Sequence, residues 1–302
     1  MNVKSYQFKN AKTTPPPEPL AATDDLFAPP QFRSRVIAVS SGKGGVGKTN
    51  IAVNLGLTLA KRGIRVALLD ADLGTANVDV MMGLQPEYHL QHLITGQRSL
   101  AEILVETPSG LKIIPGASGL PDLADLPDAQ RDVLLRALMG LDGTVDLLLI
   151  DTGAGVGRNV VQFILSAGEM LLVTTPEPTA VTDAYALVKV LAGYHLPISI
   201  KLVVNNAQPQ SEGEAVAQRL ATVAEQFLGR AIEPVGVLPR DKNVPQAVRH
   251  QTPLVEFSPY SPMAVALNRL AERLWSDVEI QQVTGISQFF RKIMALRSVI
   301  TG

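Results

Sequence analysis

The sequence predicts an α/β fold: a doubly wound, mostly parallel sheet with helices on both faces. Three observations carry this. Near-continuous apolar runs of strand length, such as Val66-Ala67-Leu68-Leu69 and Leu147-Leu148-Leu149-Ile150, each end in an aspartate. Strands covered by helices on both sides read this way, because neither face meets water. Such runs alternate along the chain with helical stretches. Finally, the chemically distinctive residues fall just after strands, at the carboxyl ends where open α/β sheets place their sites.

The chain has 302 residues, enough for one large or two modest domains, and a hydrophobic content of 46% supplies a sizeable core. A net charge of −1 gives no global attraction to nucleic acid or anionic lipid, so any such contact is local. With no cysteine there are no disulfides or thiolate metal sites. No signal-peptide pattern opens the sequence and no apolar run is long enough to span a bilayer, so a soluble cytoplasmic protein is expected.

Residues 1–34 hold Pro15-Pro16-Pro17, Pro19 and Pro29-Pro30 with few apolar side chains; a flexible leader or a partner-binding arm is expected. Arg35 to Ser40 then reads as a strand and Asn50 to Arg62 as a helix. Between them, Ser41-Gly42-Lys43-Gly44-Gly45-Val46-Gly47-Lys48-Thr49 has the strand–loop–helix setting of a phosphate cradle. Glycines let the backbone curl so that N–H groups point inward at phosphate oxygens, and the helix N-terminus adds partial positive charge. Lys48 is placed for the β- and γ-phosphates and the Thr49 hydroxyl for Mg²⁺, with Asn50 closing the nucleotide-contacting stretch. Lys43 is a second cation that this loop does not need for its own nucleotide. It is either a functional group or a solvated loop lysine.

The next strand, Arg65 to Asp70, leads into Ala71-Asp72-Leu73-Gly74-Thr75-Ala76-Asn77. A carboxylate at Asp72 can orient water, or accept its proton, in line with a γ-phosphate; a solvated loop acid is the alternative, and Asp70 reads as a strand-end cap. Tyr88 to Glu106 is expected to be helical, with Leu90, Leu93, Ile94 and Leu100 in the core. His89 and His92 read as ordinary surface histidines, since nothing near them completes a ligand set. Leu111 to Ile114 is a strand and Ala129 to Met139 a helix.

Val145 to Asp151 is a strand whose terminal carboxylate is suited to hold Mg²⁺ through water. Gly153 and Gly155 then permit a mobile loop whose N–H senses a γ-phosphate. Glu169 to Thr175 is a strand ending in Pro176-Glu177-Pro178-Thr179, and a helix starts near Val181. Two later strands end in Asn205-Asn206 and in Pro239-Arg240-Asp241. Asn205-Asn206-Ala207-Gln208 has no carboxylate to accept the ring N–H donors of guanine, which favours adenine. Pro259 to Trp275 is a helix with Met263, Ala266, Leu267, Leu270 and Leu274 on one stripe, and residues 35–278 make one nucleotide-binding domain.

Residues 285–302 form a separate segment. Ile286, Phe289, Phe290, Ile293 and Met294 fall at helical spacing, Arg291 and Lys292 lie off that stripe, and no acidic residue occurs there. Such a helix suits an anionic membrane interface, or packs on its own domain.

The string Lys43-Gly44-Gly45-Val46-Gly47-Lys48-Thr49 resembles the deviant Walker A motif of the MinD/ParA family of ATPases. Together with Asp70-Ala71-Asp72-Leu73-Gly74, Asp151-Thr152-Gly153-Ala154-Gly155 and Thr182-Asp183-Ala184-Tyr185-Ala186-Leu187, it makes Val36 to Arg297 similar to the FlhG branch (FleN or YlxH). Members of that branch set flagellar number and placement. The resemblance implies ATP and Mg²⁺ as cofactors, slow hydrolysis without a partner, and a homodimer closed by ATP and opened by hydrolysis. It places Lys43 at the partner copy's nucleotide, where its charge stabilises the transferring phosphoryl group. It puts Asp72 near the attacking water, the N–H of Gly155 near the γ-phosphate, and Asn205, Pro239, Arg240 and Asp241 beside the base.

The terminal helix is implied to bind the inner face of the cell membrane, weakly as one copy and by avidity as two. The partners implied are the flagellar GTPase FlhF, basal-body C-ring proteins or a flagellar transcription regulator. The leader lacks the DQAxxLR string with which some FlhG proteins stimulate FlhF, so that activity is not implied. Two sibling readings stay open: a MinD-type division-site ATPase, and a ParA-type partitioning ATPase that binds DNA nonspecifically. No specific nucleic-acid binding is expected.

Overall fold

The structure, a computed structural model, describes residues 34–72, 77–116, 126–276 and 284–300. The leader, the segment Leu73 to Ala76 and the last two residues lie outside them. Strand β1 (Arg35–Ser41) leads through the glycine loop to α1 (Lys48–Ala60) and then β2 (Val66–Ala71). Short helices α2 (Val78–Met82), α3 (Leu90–Ile94) and α4 (Leu100–Ile103) precede β3 (Val105–Glu106) and β4 (Lys112–Ile114). Regular alternation follows: α5 (Asp128–Met139), β5 (Leu147–Ala154), α6 (Arg158–Ala167), β6 (Glu169–Thr174), α7 (Pro178–Ala192), β7 (Ser199–Ala207), α8 (Gln210–Leu228) and β8 (Glu233–Pro239). The chain closes with α9 (Asn243–Arg249), α10 (Leu254–Phe257), α11 (Pro262–Ser276) and α12 (Ile286–Ile300).

The strands form one sheet in the order β3-β4-β2-β5-β1-β6-β7-β8, parallel throughout except for the β3–β4 pair. Alternate residues of each strand point to opposite faces. Thus Val36, Ala38, Leu148 and Ile150 face α3, α5, α6, α8, α12 and most of α7. Ile37, Val39, Leu147 and Leu149 face α1, α10 and α11. Each fully buried Val, Leu or Ile contributes about 1.5–3 kcal/mol, so this two-sided burial is what holds the sheet. At the edge away from the carboxyl ends, the buried Arg35 guanidinium donates to Glu169 and to the carbonyl of Leu274, tying β1, β6 and α11 together.

Three expectations are corrected. The single helix expected over Tyr88–Glu106 is two short ones and a strand. Gly96 takes a left-handed φ of 72°, which ends α3, and Ser99 with Glu102 forms a capping box that starts α4 anew. His89 and His92 are half-buried rather than plain surface residues: the backbone N–H of His89 donates to Nδ1 of His92 at 3.3 Å, capping α3.

The third correction concerns α12. Ile286, Phe289, Phe290 and Ile293 are each 2% exposed or less and lie within the core shared with α5 and α6. Phe289 stacks on Phe163 at 6.3 Å, and Nε2 of the buried Gln162 donates to the carbonyl of Ile293 at 2.7 Å. The apolar stripe is therefore turned inward, with Met294 alone of its five residues outside at 38% exposure. A groove of matching apolar side chains was available on the same domain, and filling it removes more nonpolar area from water than projecting the helix would. Among the described residues no helix is long and apolar enough to cross a membrane.

Candidate nucleotide-binding site

The glycine loop, Asp70, Asp72 and Asp151 gather at the carboxyl ends of β1, β2 and β5, three strands paired at the centre of the sheet. The loop between β1 and α1 depends on glycine at two points. Gly47, with φ 96°, turns the chain into α1, and a side chain there would also collide with Nδ2 of Asn205. Gly42 lies so close to α7 that an added Cβ would stand 2.1 Å from the carbonyl of Asp183. The loop is braced by the Ser41 hydroxyl, which donates to the carbonyl of Lys43 at 2.8 Å, and by the N–H of Gly155, which donates to the carbonyl of Ser41 at 2.8 Å. That second bond joins the loop beyond β5 directly to the phosphate cradle.

Lys48, in the first turn of α1, is buried, and its ammonium stands 4.0 Å from Oδ1 of Asp151. The Thr49 hydroxyl bonds to the same carboxylate. Oδ1 of Asp151 is buried and receives no hydrogen bond. Burial pushes the Asp151 carboxyl up to about 6, with the charge of Lys48 working against that rise. Asp70 sits directly opposite Asp151 on the neighbouring strand. Its carboxylate accepts the N–H groups of Asp72, Asn77 and Val78 at 3.3, 3.0 and 3.2 Å, tying the end of β2 to the start of α2. Burial raises Asp70 to about 7 in spite of those donors. The half-buried Asp72 directs Oδ1 at Gly153, 3.8 Å from where a side chain there would begin.

Among the described residues, Asp70 and Asp151 face each other at these strand ends with Lys48 beside Asp151. An orphaned carboxylate oxygen beside a threonine hydroxyl is a fitting donor set for Mg²⁺, which takes oxygen ligands from one or two protein groups and completes its shell with water and phosphate. The residues present therefore fit the metal, which Thr49 and Asp151 would hold.

The residues expected beside the base divide by their contacts. Asn205 donates from Nδ2 to the carbonyl of Val46 at 2.8 Å, joining the end of β7 to the phosphate loop. The N–H of Arg240 donates to the carbonyl of Ala207 at 3.1 Å, which sets the β7 and β8 ends side by side. Asp241 is occupied locally: its carboxylate accepts the N–H groups of Asn243 at 2.8 Å and Met263 at 3.1 Å. Burial lifts the carboxyl of Asp241, and these bonds outweigh that, leaving it below its ordinary range. Its side chain organises the loop that joins β8 to α9 and the start of α11.

Lys43 reaches the start of α7. Its ammonium donates to Thr179 Oγ1 at 2.9 Å and to Glu177 at 3.2 Å, both at the start of α7. Neither partner was singled out from the sequence, and no spacing rule points to them. A second group missed from sequence is Asn54 of α1, fully buried, whose Oδ1 accepts the N–H of Val255 at 2.9 Å while Nδ2 donates to the carbonyl of Asn50 at 2.8 Å. A buried asparagine in an otherwise apolar helix was the available signal.

The model of the CobQ/CobB/MinD/ParA nucleotide-binding domain matches residues 37–254. The antiactivator FleN of Pseudomonas aeruginosa is 43% identical over 240 residues, 80% of this chain and 86% of that protein. The flagellum site-determining protein YlxH of Helicobacter pylori is 32% identical over 266 residues, 86% of this chain and 90% of that protein. Among solved structures, the septum site-determining protein MinD of Pyrococcus horikoshii, complexed with Mg-ADP, superposes with a TM-score of 0.65 at 27% identity, over 80% of this chain and 96% of that one.

Proposed function

The chain belongs to the CobQ/CobB/MinD/ParA family of nucleotide-binding domains; from there we propose that it is an Mg²⁺-dependent ATPase that acts as a switch in setting flagellar number and placement. The observation that carries the chemistry is the convergence of Lys48, Thr49, Asp72 and Asp151 around one glycine loop. Lys48 holds the β- and γ-phosphates, and the loop N–H groups and the amino end of α1 complete the cradle. Bound Mg²⁺ supplies charge neutralisation at the phosphates, held by Thr49 and Asp151. Asp72 orients the attacking water and takes its proton as the bond to the β–γ bridging oxygen breaks. The N–H of Gly155 already engages the phosphate loop, so the loop that carries it is placed to respond when the γ-phosphate leaves. Asn205 and the Pro239–Asp241 loop receive adenine.

On this reading two ATP-bound copies pair, Lys43 of each serves the other's nucleotide, and hydrolysis separates them. Membrane attachment through Ile286, Phe289, Phe290, Ile293 and Met294 then requires α12 to leave its groove. That links lipid binding to a change of state rather than to a permanently exposed tail.

The flagellar assignment is supported by the relatives FleN and YlxH, the former more similar to this chain than the septum-site MinD relatives at 30–34% identity. Electron microscopy of cells lacking the gene, with flagella per cell and cell length scored together, tests it. Excess or misplaced flagella on normally dividing cells support the assignment. Minicells with ordinary flagellation transfer the protein to division-site selection and leave the ATPase chemistry standing.

A further inference from the structure

Asn54 lies one turn beyond Asn50 on α1 and is 0% exposed. Its amide is oriented by its neighbours. The backbone N–H of Val255, at the start of α10, meets an acceptor only if Oδ1 of Asn54 faces it, which it does at 2.9 Å. Nδ2 then points back along α1, donating to the carbonyl of Asn50 at 2.8 Å and to the side-chain Oδ1 of Asn50 at 3.3 Å. With that oxygen engaged, the NH₂ group is the end of the Asn50 side chain left over. It has no acceptor among the described residues, although Asn50 as a whole is buried. A buried donor in this position is costly until something accepts from it.

The direction of this amide matters because Asn50 directly follows Thr49 in the first turn of α1, beside the phosphate cradle. An asparagine side chain offers a donor at one end and an acceptor at the other. Its NH₂ turned to a phosphate oxygen makes a charge-assisted hydrogen bond, whereas its carbonyl oxygen turned there is repelled. An asparagine free to rotate would divide its time between the two settings. Asn54 removes that freedom from below. The same side chain also fastens α10, whose next residue, Glu256, pairs with Lys61 just past the end of α1 at 3.6 Å.

We propose that Asn54 is a positioning residue of the nucleotide site, which sets the Asn50 amide with its NH₂ towards the bound phosphates and links occupancy of the site to α10. The proposal rests on the reading of the glycine loop as a nucleotide cradle. A bound phosphate takes up the NH₂ of Asn50, which fixes Asn50 against Asn54 and steadies Oδ1 of Asn54 on the N–H of Val255. Amides of α10 therefore exchange more slowly when nucleotide is bound, although α10 itself carries no residue assigned to the nucleotide.

The test is calorimetric titration of the full chain with Mg-ADP, joined to hydrogen exchange of residues 254–257 with and without it. Asn50→Ala is expected to weaken binding at least about tenfold, the scale of one hydrogen bond to a charged group. Asn54→Leu, similar in volume and unable to hold Asn50, is expected to weaken binding severalfold. Added to Asn50→Ala it should change the affinity no further, a coupling that general loosening of α1 would not produce. Saturating Mg-ADP should slow exchange in residues 254–257 severalfold in the wild type and leave it unaltered in Asn50→Ala; this arm decides the matter even if Asn54→Leu does not fold. The positioning role is refuted, and the cradle reading survives, if the wild type binds Mg-ADP but Asn54→Leu retains full affinity, weakens binding equally in the Asn50→Ala background, or the exchange of residues 254–257 ignores the nucleotide. If the wild type binds no Mg-ADP, the cradle reading fails and the proposal falls with it.

Discussion

Replacing Gly42 by alanine separates close packing from mere loop flexibility. The added Cβ would stand 2.1 Å from the carbonyl carbon and oxygen of Asp183 and 2.5 Å from the N of Ala184. These are backbone atoms in the body of α7, so no side-chain rotation relieves the clash. The loop or the helix must shift by more than an ångström. Overpacking of this kind costs about 1–3 kcal/mol. In a chain of this size each kcal/mol moves the unfolding midpoint by about 2–4 °C, giving a fall of several degrees. Gly44, two residues on, has nothing within 4 Å of the equivalent position and no left-handed φ. Gly44→Ala is therefore a matched control with the same change in chemistry and no steric cost. Thermal unfolding by circular dichroism, without nucleotide, compares the two directly. Gly42→Ala is expected to unfold several degrees below wild type, and Gly44→Ala within a degree of it. Equal midpoints for the two variants would show that α7 does not press on the loop.

Three further outcomes are expected. The folded-state carboxyls of Asp70 and Asp151, raised by burial to about 7 and about 6, bind protons more tightly than in the unfolded chain. Their burial therefore costs stability fully above pH 7, and the cost is relieved as pH falls towards 4; nucleotide-free protein should gain about 4 kcal/mol between pH 8 and pH 5, and Asp70→Asn should flatten that dependence in urea titrations. Gln162→Ala removes the side-chain donor to Ile293 inside the α12 groove, so hydrogen exchange in residues 286–296 should accelerate severalfold, while α1 exchanges as before. Lys48→Ala should abolish ATP binding, read by equilibrium dialysis, and lower the unfolding midpoint more at pH 8 than at pH 5, because the cradle loses a ligand for phosphate and the buried Asp151 carboxylate loses its cation.

Much of the site was legible because its chemistry is local in sequence. Gly42 to Thr49 is one continuous stretch, and Asp151 ends an unmistakable apolar strand, so strand–loop–helix order alone brought both to the sheet's carboxyl edge. Asp72 stands out in the sequence for the same reason, as a carboxylate just past the end of β2. The partners of Lys43 were not. Glu177 and Thr179 lie more than 130 residues away, and only the strand order β5-β1-β6 brings α7 beside the loop. The dual role of Asp70, a cap for α2 and a neighbour of Asp151, likewise depends on strand register. The terminal helix shows the opposite limit. Its amphipathic period was read correctly, but a period states only that one face avoids water. Whether lipid or the domain's own groove receives that face depends on Phe163, Gln162 and Asp142, which lie far off in the chain and hold it by packing and by the bonds to Ile293 and to the N–H of Ser287.

The account turns on Asp72 as the group that activates water for a nucleotide held by Lys48 and Thr49. Phosphate release from Mg-ATP by the purified full chain, measured across protein concentration for wild type and Asp72→Asn, tests this most directly. The account predicts a slow wild-type rate per chain that rises with protein concentration, and a fall of at least about 100-fold in Asp72→Asn with nucleotide affinity retained. Hydrolysis by Asp72→Asn at the wild-type rate would contradict it.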